Sequence, residues 1–565
     1  MCFINRYKRH QVVFIVIQLL FLAVSFSHEA IGAVSDSEGS AVTQEKSTTE
    51  TETLRTKESP PSAEKVEAKE EARTFDIYEF QVIGNTKLSK MQIETAVYHQ
   101  MGENKTIQDV EKARDGLEKA YHEAGYLTVL VDIPEQEVDN KVVKLNVTEA
   151  KVNKFRISGS HYYSLGRIKA LSPSVQEGEV PHFPTVQKDI ARLNRTSDKR
   201  VTPVLKAGRV FGTVDVDLKV EDSLPLHASL ELNDKYSRDT TRLRLGGMIK
   251  YDNLWQRDHS FSLNFLTAPE NFDEVKVLSG NYLMRFDDSD VLLALYGVWS
   301  ESSVATAGGI NILGDGKIAG LRLIKPLPAL ESYFHSLSLG VDYKDFGQRI
   351  VFNNSTPESP VTYMPISALY SGTYQEKDAT TQFNLGVVMG IRGLFTDDKE
   401  FDEKQPGAKP DFFVSKLEVS RTQTLPNQFE GFVKLDGQFA VDKLISNEQY
   451  LAGGADSVRG YLESEVAADR GLHATFELRS PPFLKQISWI KDLKLATFYD
   501  AAHLITIDPA EGQEKTSNIS GVGFGAYLKT NKNIFATLEF AWPLEDSDAT
   551  QAGDFRSHMR LWYEF

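Results

Sequence analysis

Residues 556–565 read Arg-Ser-His-Met-Arg-Leu-Trp-Tyr-Glu-Phe, and the sequence stops there. The segment alternates. Met559, Leu561, Tyr563 and Phe565 share one face of an extended strand, and His558, Arg560, Trp562 and Glu564 share the other. A strand that is apolar outside, polar inside and ended by an aromatic suits the closing seam of a barrel in lipid. An ordinary half-buried strand would alternate in the same way, so other segments must separate the two.

The start of the chain bears on this. Arg6, Lys8 and Arg9 precede an apolar run from Gln11 to Phe26, and small residues follow at Ala30, Gly32 and Ala33. This is the pattern of a secretory signal, residues 1–33, cut after Gly32 or Ala33. The run is short for a spanning helix, which needs about 20 residues; a signal anchor is the other reading. No other stretch is apolar and long enough to span as a helix. A membrane location after export therefore requires a closed barrel, because lipid offers no partner to free backbone groups.

Of the 565 residues, 41% are hydrophobic, which is low for a helical membrane protein. A barrel with a watery lumen tolerates this, since only alternate residues meet lipid. The formal charge is −16; the signal carries a net +2, so the remainder stands at −18. An acidic chain without a basic patch argues against nucleic acid as a partner. The single cysteine, Cys2, leaves with the signal, and with it any disulfide or thiolate metal site.

Residues 34–73 are rich in Ser, Thr, Glu and Lys and lack aromatics, which predicts a disordered linker; Ala63–Arg73 has the composition of a helix. Two units of one plan follow, at 75–150 and 151–223. The first has a strand Tyr78–Gly84, a Gly84-Asn85 turn, helices Ser89–Gln100 and Thr106–Ala124 stopped by Gly125, and strands Thr128–Ile133 and Val142–Glu149. The second repeats it: strand Val152–Ser158, turn Gly159-Ser160, helical stretches Leu165–Leu171 and Pro184–Thr196, strands Val201–Leu205 and Thr213–Glu221. Repeats of about 70 residues in the order β-α-α-β-β make small α+β modules, with one mixed domain as the alternative.

After Leu226 helix signals vanish and period two takes over. Phe261, Leu263 and Phe265 alternate with serines and Asn264. Leu337, Leu339, Val341 and Tyr343 alternate with Ser336, Ser338, Gly340 and Asp342. Phe383 to Met389 and Leu472 to Leu478 behave alike, the latter interleaved with His473, Thr475, Glu477 and Arg479. A soluble sandwich would turn such charges to bulk water, a barrel to its lumen. Turn signals break the segments at Asp287-Asp288-Ser289-Asp290 and Asn353-Asn354-Ser355. Residues 226–565 suffice for a barrel of about 16 strands.

Between Gly431 and Ser480 lie Gly437-Gln438, Glu448-Gln449, Leu451-Ala452-Gly453-Gly454, Ser457-Val458-Arg459-Gly460-Tyr461 and Phe476-Glu477-Leu478-Arg479. This stretch resembles the two-partner-secretion transporters of the outer membrane, the haemolysin or haemagglutinin secretion and activation proteins of the Omp85 superfamily. The two modules resemble POTRA domains, and the likeness covers about residues 75–565. The fold it implies is mainly β: a C-terminal outer-membrane β-barrel of about 16 antiparallel strands after two small α+β POTRA modules. It further implies that Val458, Arg459, Gly460 and Tyr461 tip a loop near 450–465 folded into the barrel. The arginine would meet an aspartate of a Phe-x-Asp-x-Gly motif on the inner wall. The matching stretch is Phe498-Tyr499-Asp500-Ala501-Ala502, with Ala502 in place of the glycine.

Alternation supports the pair. Leu493, Leu495, Thr497 and Tyr499 form one face, and Lys494, Ala496, Phe498 and Asp500 the more polar one, so Asp500 faces the lumen if the leucines face lipid. Arg459 offers it a bidentate partner. The pair's net contribution is only about 1 kcal/mol or less, because desolvation opposes attraction. Tyr563 and Phe565 are read as the C-terminal signal for barrel assembly.

No GxxxxGK[ST], HExxH or GxSxG motif occurs, and the twelve histidines show no pair at metal-ligand helical spacing. Gly314-Asp315-Gly316-Lys317 reads as a hairpin turn, and His122 as a partner of its helix's C-terminal dipole. No catalytic residue, cofactor or metal is expected. The resemblance implies a translocator in the outer membrane of a Gram-negative bacterium, with periplasmic POTRA modules. It would export a large exoprotein that carries an N-terminal secretion domain. Its other partners would be outer-membrane lipid and, during biogenesis, the barrel assembly machinery. An assembly factor of the same superfamily, and a passive pore or adhesin, are the alternatives.

Overall fold

The computed structural model describes residues 74–565, except 139, 288, 303, 308–309, 314, 348–358 and 485–486; of 304–307 and 310–313 it describes the backbone. The signal, the linker, Asp288 and the Asn353-Asn354-Ser355 turn lie outside the described residues.

The first module is a three-stranded sheet backed by two helices. Glu79–Ile83 runs parallel to Val142–Glu149, which pairs antiparallel with Val129–Asp132. Helices α1 (Lys90–Val97) and α2 (Ile107–Glu123) cover it. The stripe Val110, Ala113, Leu117 and Tyr121 of α2 is buried against Val129, Val143 and Leu145. The spacing of three and four is what puts these side chains on one face. The second module repeats the topology: Lys151–Ser158 parallel to Thr213–Asp222, which pairs antiparallel with Lys199–Ala207. Helices α3 (Leu165–Ala170) and α4 (Phe183–Leu193) lie over it. Both modules leave their first strand through a glycine at positive φ, Gly84 at 94° and Gly159 at 86°. A Cβ there would stand 2.3 Å from the Val147 carbonyl oxygen or 2.4 Å from that of Val220. His122 stands in the last turn of its helix, and its Nε2 sits 3.3 Å from the Val129 carbonyl oxygen, on the strand beyond the turn.

The start of α2 is a capping box. The Asp109 carboxylate accepts from the Thr106 N–H at 3.0 Å and its hydroxyl at 2.9 Å. These bonds, with help from Lys112, pull the Asp109 pKa from 3.8 to about 2. The folded value is depressed, so the stabilisation is present above pH 3.8 and is lost as pH falls through about 2. Amide protection in the first turn of α2 should stay level from neutral pH to 4 and fall below it. Asp109→Asn should abolish that pH dependence in hydrogen exchange.

From Leu226 onward sixteen antiparallel strands close into a barrel. The first, Leu226–Asn233, pairs with the last, Arg556–Glu564, over five residue pairs from Arg560↔Asn233 to Glu564↔Ser229. The main chains of Phe565 and Ala228 add two further bonds. The outward residues are apolar and open: Phe261, Leu263 and Phe265 are 43%, 42% and 43% exposed. The inward ones are polar and covered: His473 is 1% and Glu477 7% exposed, while their neighbours Leu472 and Leu478 are 52% and 46%. A closed ring with this polarity is a membrane barrel and not a soluble sandwich. Tyr333, His335, Tyr370 and Phe383 form an aromatic cluster, with Tyr370 on the outward face beside Leu337. Such belts mark membrane interfaces.

Two readings of the barrel region are corrected. Asp315, Gly316 and Lys317 are not a turn but the start of the strand Asp315–Pro326. Gly316 pairs with Ser300 on one side and Phe346 on the other, and these ladders hold it extended. The hairpin lies just before, between Val304–Ala307 and Ile310–Leu313. A short helix, α5 (Asp398–Lys404), stands where no helix signal was read. Asp397 caps it and Phe401 alone is buried, so no apolar period betrays it.

The second module meets the barrel through its turns. Lys199 Nζ lies 3.1 Å from Asp258, Arg167 pairs with Asp287, and Arg195 with Asp290.

Candidate functional site

The connection between the eleventh strand, Glu430–Ala440, and the twelfth, Arg470–Arg479, is long and turns back into the bore. A two-stranded stalk, Tyr450–Ala452 against Val466–Ala468, carries it, and Val458 to Tyr461 form its buried tip.

Arg459 is 5% exposed and uses its whole guanidinium. Nε donates to Asp500 Oδ2 at 2.7 Å and Nη2 to Oδ1 at 3.0 Å, a two-pronged contact; the Arg459 backbone N–H adds a third at 3.2 Å. Nη1 reaches Glu477 at 3.0 Å and Glu539 at 2.7 Å. The guanidinium carbon lies 3.4 Å from the centre of the Phe498 ring, close enough for a cation–π contact. Asp500 is fully buried and Phe498 nearly so. The three carboxylates come from the twelfth, thirteenth and fifteenth strands. Tyr527 on the fourteenth fills the gap, its hydroxyl 3.0 Å from Glu477 and 2.8 Å from Glu539. Arg479 holds the other oxygen of Glu477 at 2.6 Å. Two guanidiniums thus face three carboxylates in a shielded site, where charge-assisted bonds are strong and directional.

The rest of the tip is held as closely. Gly460 donates to His558 Nε2 at 3.2 Å and accepts from Arg556 Nε at 3.2 Å, both on the last strand. The Tyr461 hydroxyl lies 2.8 Å from the Glu545 carbonyl oxygen and 3.1 Å from that of Ser520, which share its single proton. Val458 and Tyr461 pack with Ala502, Leu504 and Ile519 of the wall. Ala502, the departure from the family's motif, thus gives its methyl to the surface on which the loop rests. Gly521 makes room for the tip: a Cβ there would stand 2.1 Å from the Arg459 carbonyl oxygen. Tyr563 and Phe565 are elsewhere. They face outward at the seam, 45% and 68% exposed, with ring centres 6.5 Å apart.

Alternation puts Glu477 and His558 on polar faces but does not give the register that brings them to Arg459. Glu539, Tyr527 and Arg556 carry no motif of their own.

Among the described residues, three potential metal ligands meet where sequence spacing shows none: Asp198, His227 and Asp252, their donor atoms within 4.8 Å of one another. His227 Nε2 lies 3.0 Å from Asp198 and 3.4 Å from Asp252, and Lys250 lies 2.7 Å from Asp252. Each member already has a partner of opposite or potentially opposite charge. The group reads as an ion-pair cluster joining the second module to the first two barrel strands.

Comparison with known proteins agrees with this architecture. The model of the POTRA domain, ShlB-type, matches residues 75–150. The heme/hemopexin transporter protein HuxB of Haemophilus influenzae is 20% identical over 492 residues, 84% of each chain. The outer membrane transporter CdiB of Dickeya dadantii is 22% identical over 419 residues, 68% of each. In fold, the chain is similar to CdiB from Escherichia coli, with a TM-score of 0.64, 16% identity, and coverage of 90% of this chain and 93% of that one. The haemolysin secretion/activation protein model ShlB/FhaC/HecB matches residues 212–528, more than half of the sequence, and the chain belongs to that family.

Proposed function

We propose that this chain captures one large exoprotein in the periplasm and conducts it, unfolded, through the barrel to the cell surface. The observation that carries this is the arginine-tipped loop lodged in the bore and fixed to the wall by Arg459. A conduit for a polypeptide needs a removable obstruction, and a loop tip held to the wall by ion pairs and separate hydrogen bonds, not by a strand ladder, is one. Val458, Arg459, Gly460 and Tyr461 act as the gate element, and Phe498 and Asp500 as its seat. The modules take up the exoprotein's N-terminal secretion domain by strand addition at a sheet edge, where backbone hydrogen bonds tolerate varied sequence. The chain hydrolyses no nucleotide and has no enzymatic role; folding of the cargo outside draws it through. Lipid contacts the outward leucines and phenylalanines. The assembly machinery takes the last strand, with Tyr563 and Phe565 as its mark.

Depletion of this protein from its host tests the reading. Export predicts the loss of one large protein from the medium or cell surface with other barrel proteins at normal levels. A general fall in outer-membrane barrels would instead make it an assembly factor. An unchanged exoproteome would leave a pore or adhesin.

A further inference from the structure

The loop that carries Arg459 is held a second time, at its root and across the bore. Its first turn, Ser446–Glu448, is a single 3-10 turn that ends on a buried carboxylate. Glu448 is 4% exposed. Its Oε1 accepts from Lys344 Nζ, on the seventh strand, and from the Tyr363 hydroxyl at 2.7 Å. The Glu448 carbonyl accepts from Gln438 Nε2 at 2.9 Å. The seventh strand lies six places round the ring from the strand of Asp500, so the two anchors grip different walls.

Around Glu448 the loop end of the bore is apolar. Leu444 and Ile445 of the same loop pack in one buried cluster with Phe346, Tyr363, Phe401 and Phe412. The Tyr363 ring centre is 5.4 Å from that of Phe401 and 6.1 Å from that of Phe412. These residues come from the wall, from the segment before the eighth strand, and from the segment that carries α5. Three loops thus meet in an apolar lid, and the Glu448 carboxylate pinned against it belongs to the arginine loop.

We propose that Glu448 is a positioning residue, a clasp that ties the lid to the arginine loop so that the two move together. This rests on the export reading above. The chemistry is that of a buried ion pair, which fixes geometry more than it stabilises and becomes costly once one partner is gone. With Glu448 engaged, the lid cannot lift without breaking the ion pair with Lys344, and the loop cannot leave without breaking the lid. Release at Arg459 alone would therefore leave the outer end covered.

The test needs no exoprotein. The full chain is placed in planar lipid bilayers, and the fraction of time it conducts is recorded beside its heat-modifiable mobility. Glu448→Gln keeps size and an acceptor for Tyr363 but orphans Lys344. We expect the conducting fraction to rise on the order of tenfold, with heat-modifiability retained. Adding Lys344→Met removes the orphaned charge and should return conduction toward the wild-type level, which a merely structural defect would not do. Wild-type conduction in a folded Glu448→Gln barrel overturns the proposal. If that variant does not fold, Tyr363→Phe decides: a smaller rise supports the clasp, and no change overturns it. Export assays are separate. A silent Glu448 result leaves the export reading intact, and an absent cargo leaves the conductance result standing.

Discussion

Export by an Arg459→Ala chain should fall by about tenfold or more while the barrel still inserts and keeps its heat-modifiable mobility. The wild-type pair adds little net stability, but its removal is another matter. Alanine leaves Asp500, Glu477 and Glu539 together, with Arg479 touching only Glu477. Orphaning buried charge costs about 3–5 kcal/mol, more than the loop's remaining contacts at Gly460 and Tyr461 offset. The tip therefore leaves its seat, and the gate no longer has one defined closed state. Arg459→Lys keeps the charge but not the planar fork that meets Asp500 and Nη1's two acids at once, so it should fall between the two. The measurement is the amount of partner protein in the medium against the amount of folded barrel in the membrane. Full secretion by the alanine variant would remove Arg459 from the mechanism.

Gly521→Ala should damage the same step without touching a charge. Its new methyl would stand 2.1 Å from the Arg459 carbonyl oxygen, which is backbone and cannot swing aside. Either the loop tip or the fourteenth strand must shift, and overpacking of this kind costs about 1–3 kcal/mol. The strand is held by ladders on both sides, from Asp500↔Gly521 to Gly521↔Pro543, so the tip is what moves. Export should drop by roughly 5- to 150-fold, the factor that such energies correspond to. Gly386→Ala is the control: its Cβ would lie 3.5 Å from Leu369, an ordinary contact, and export should be unchanged. Equal secretion by the Gly521 and Gly386 variants would mean that the close seat of the loop is not needed for transport.

Much of this was legible because a barrel strand declares its two faces. Leu495 and Tyr499 open to lipid while Phe498 and Asp500 are buried, and alternation alone assigns those sides. The partners of Arg459 beyond Asp500 were not legible, for a reason of the same kind. Period two tells which way Glu539 points but not which residue of the next strand lies beside it, and only register brings Glu477, Tyr527 and Glu539 to one guanidinium. The Glu448 anchor was hidden similarly, since Lys344 and Tyr363 are remote in sequence. Gly316 misled because glycine between an aspartate and a lysine is turn-like locally, while pairing on both sides decides its conformation. The cluster of Asp198, His227 and Asp252 draws on three separate elements, which helical spacing rules cannot reach.

The narrow joint between the first and last barrel strands sets an order of events in biogenesis. Arg560 and Glu231 bond across it although 329 positions separate them. No ring can close until the final residues have been synthesised and carried across the inner membrane. Until then the strand Leu226–Asn233 presents a bare edge, the kind of surface on which β-rich chains aggregate. Pairings this distant in sequence also form slowly. Truncation of the last strand should therefore leave this edge bare and turn the chain into a substrate for proteolysis before it ever reaches lipid.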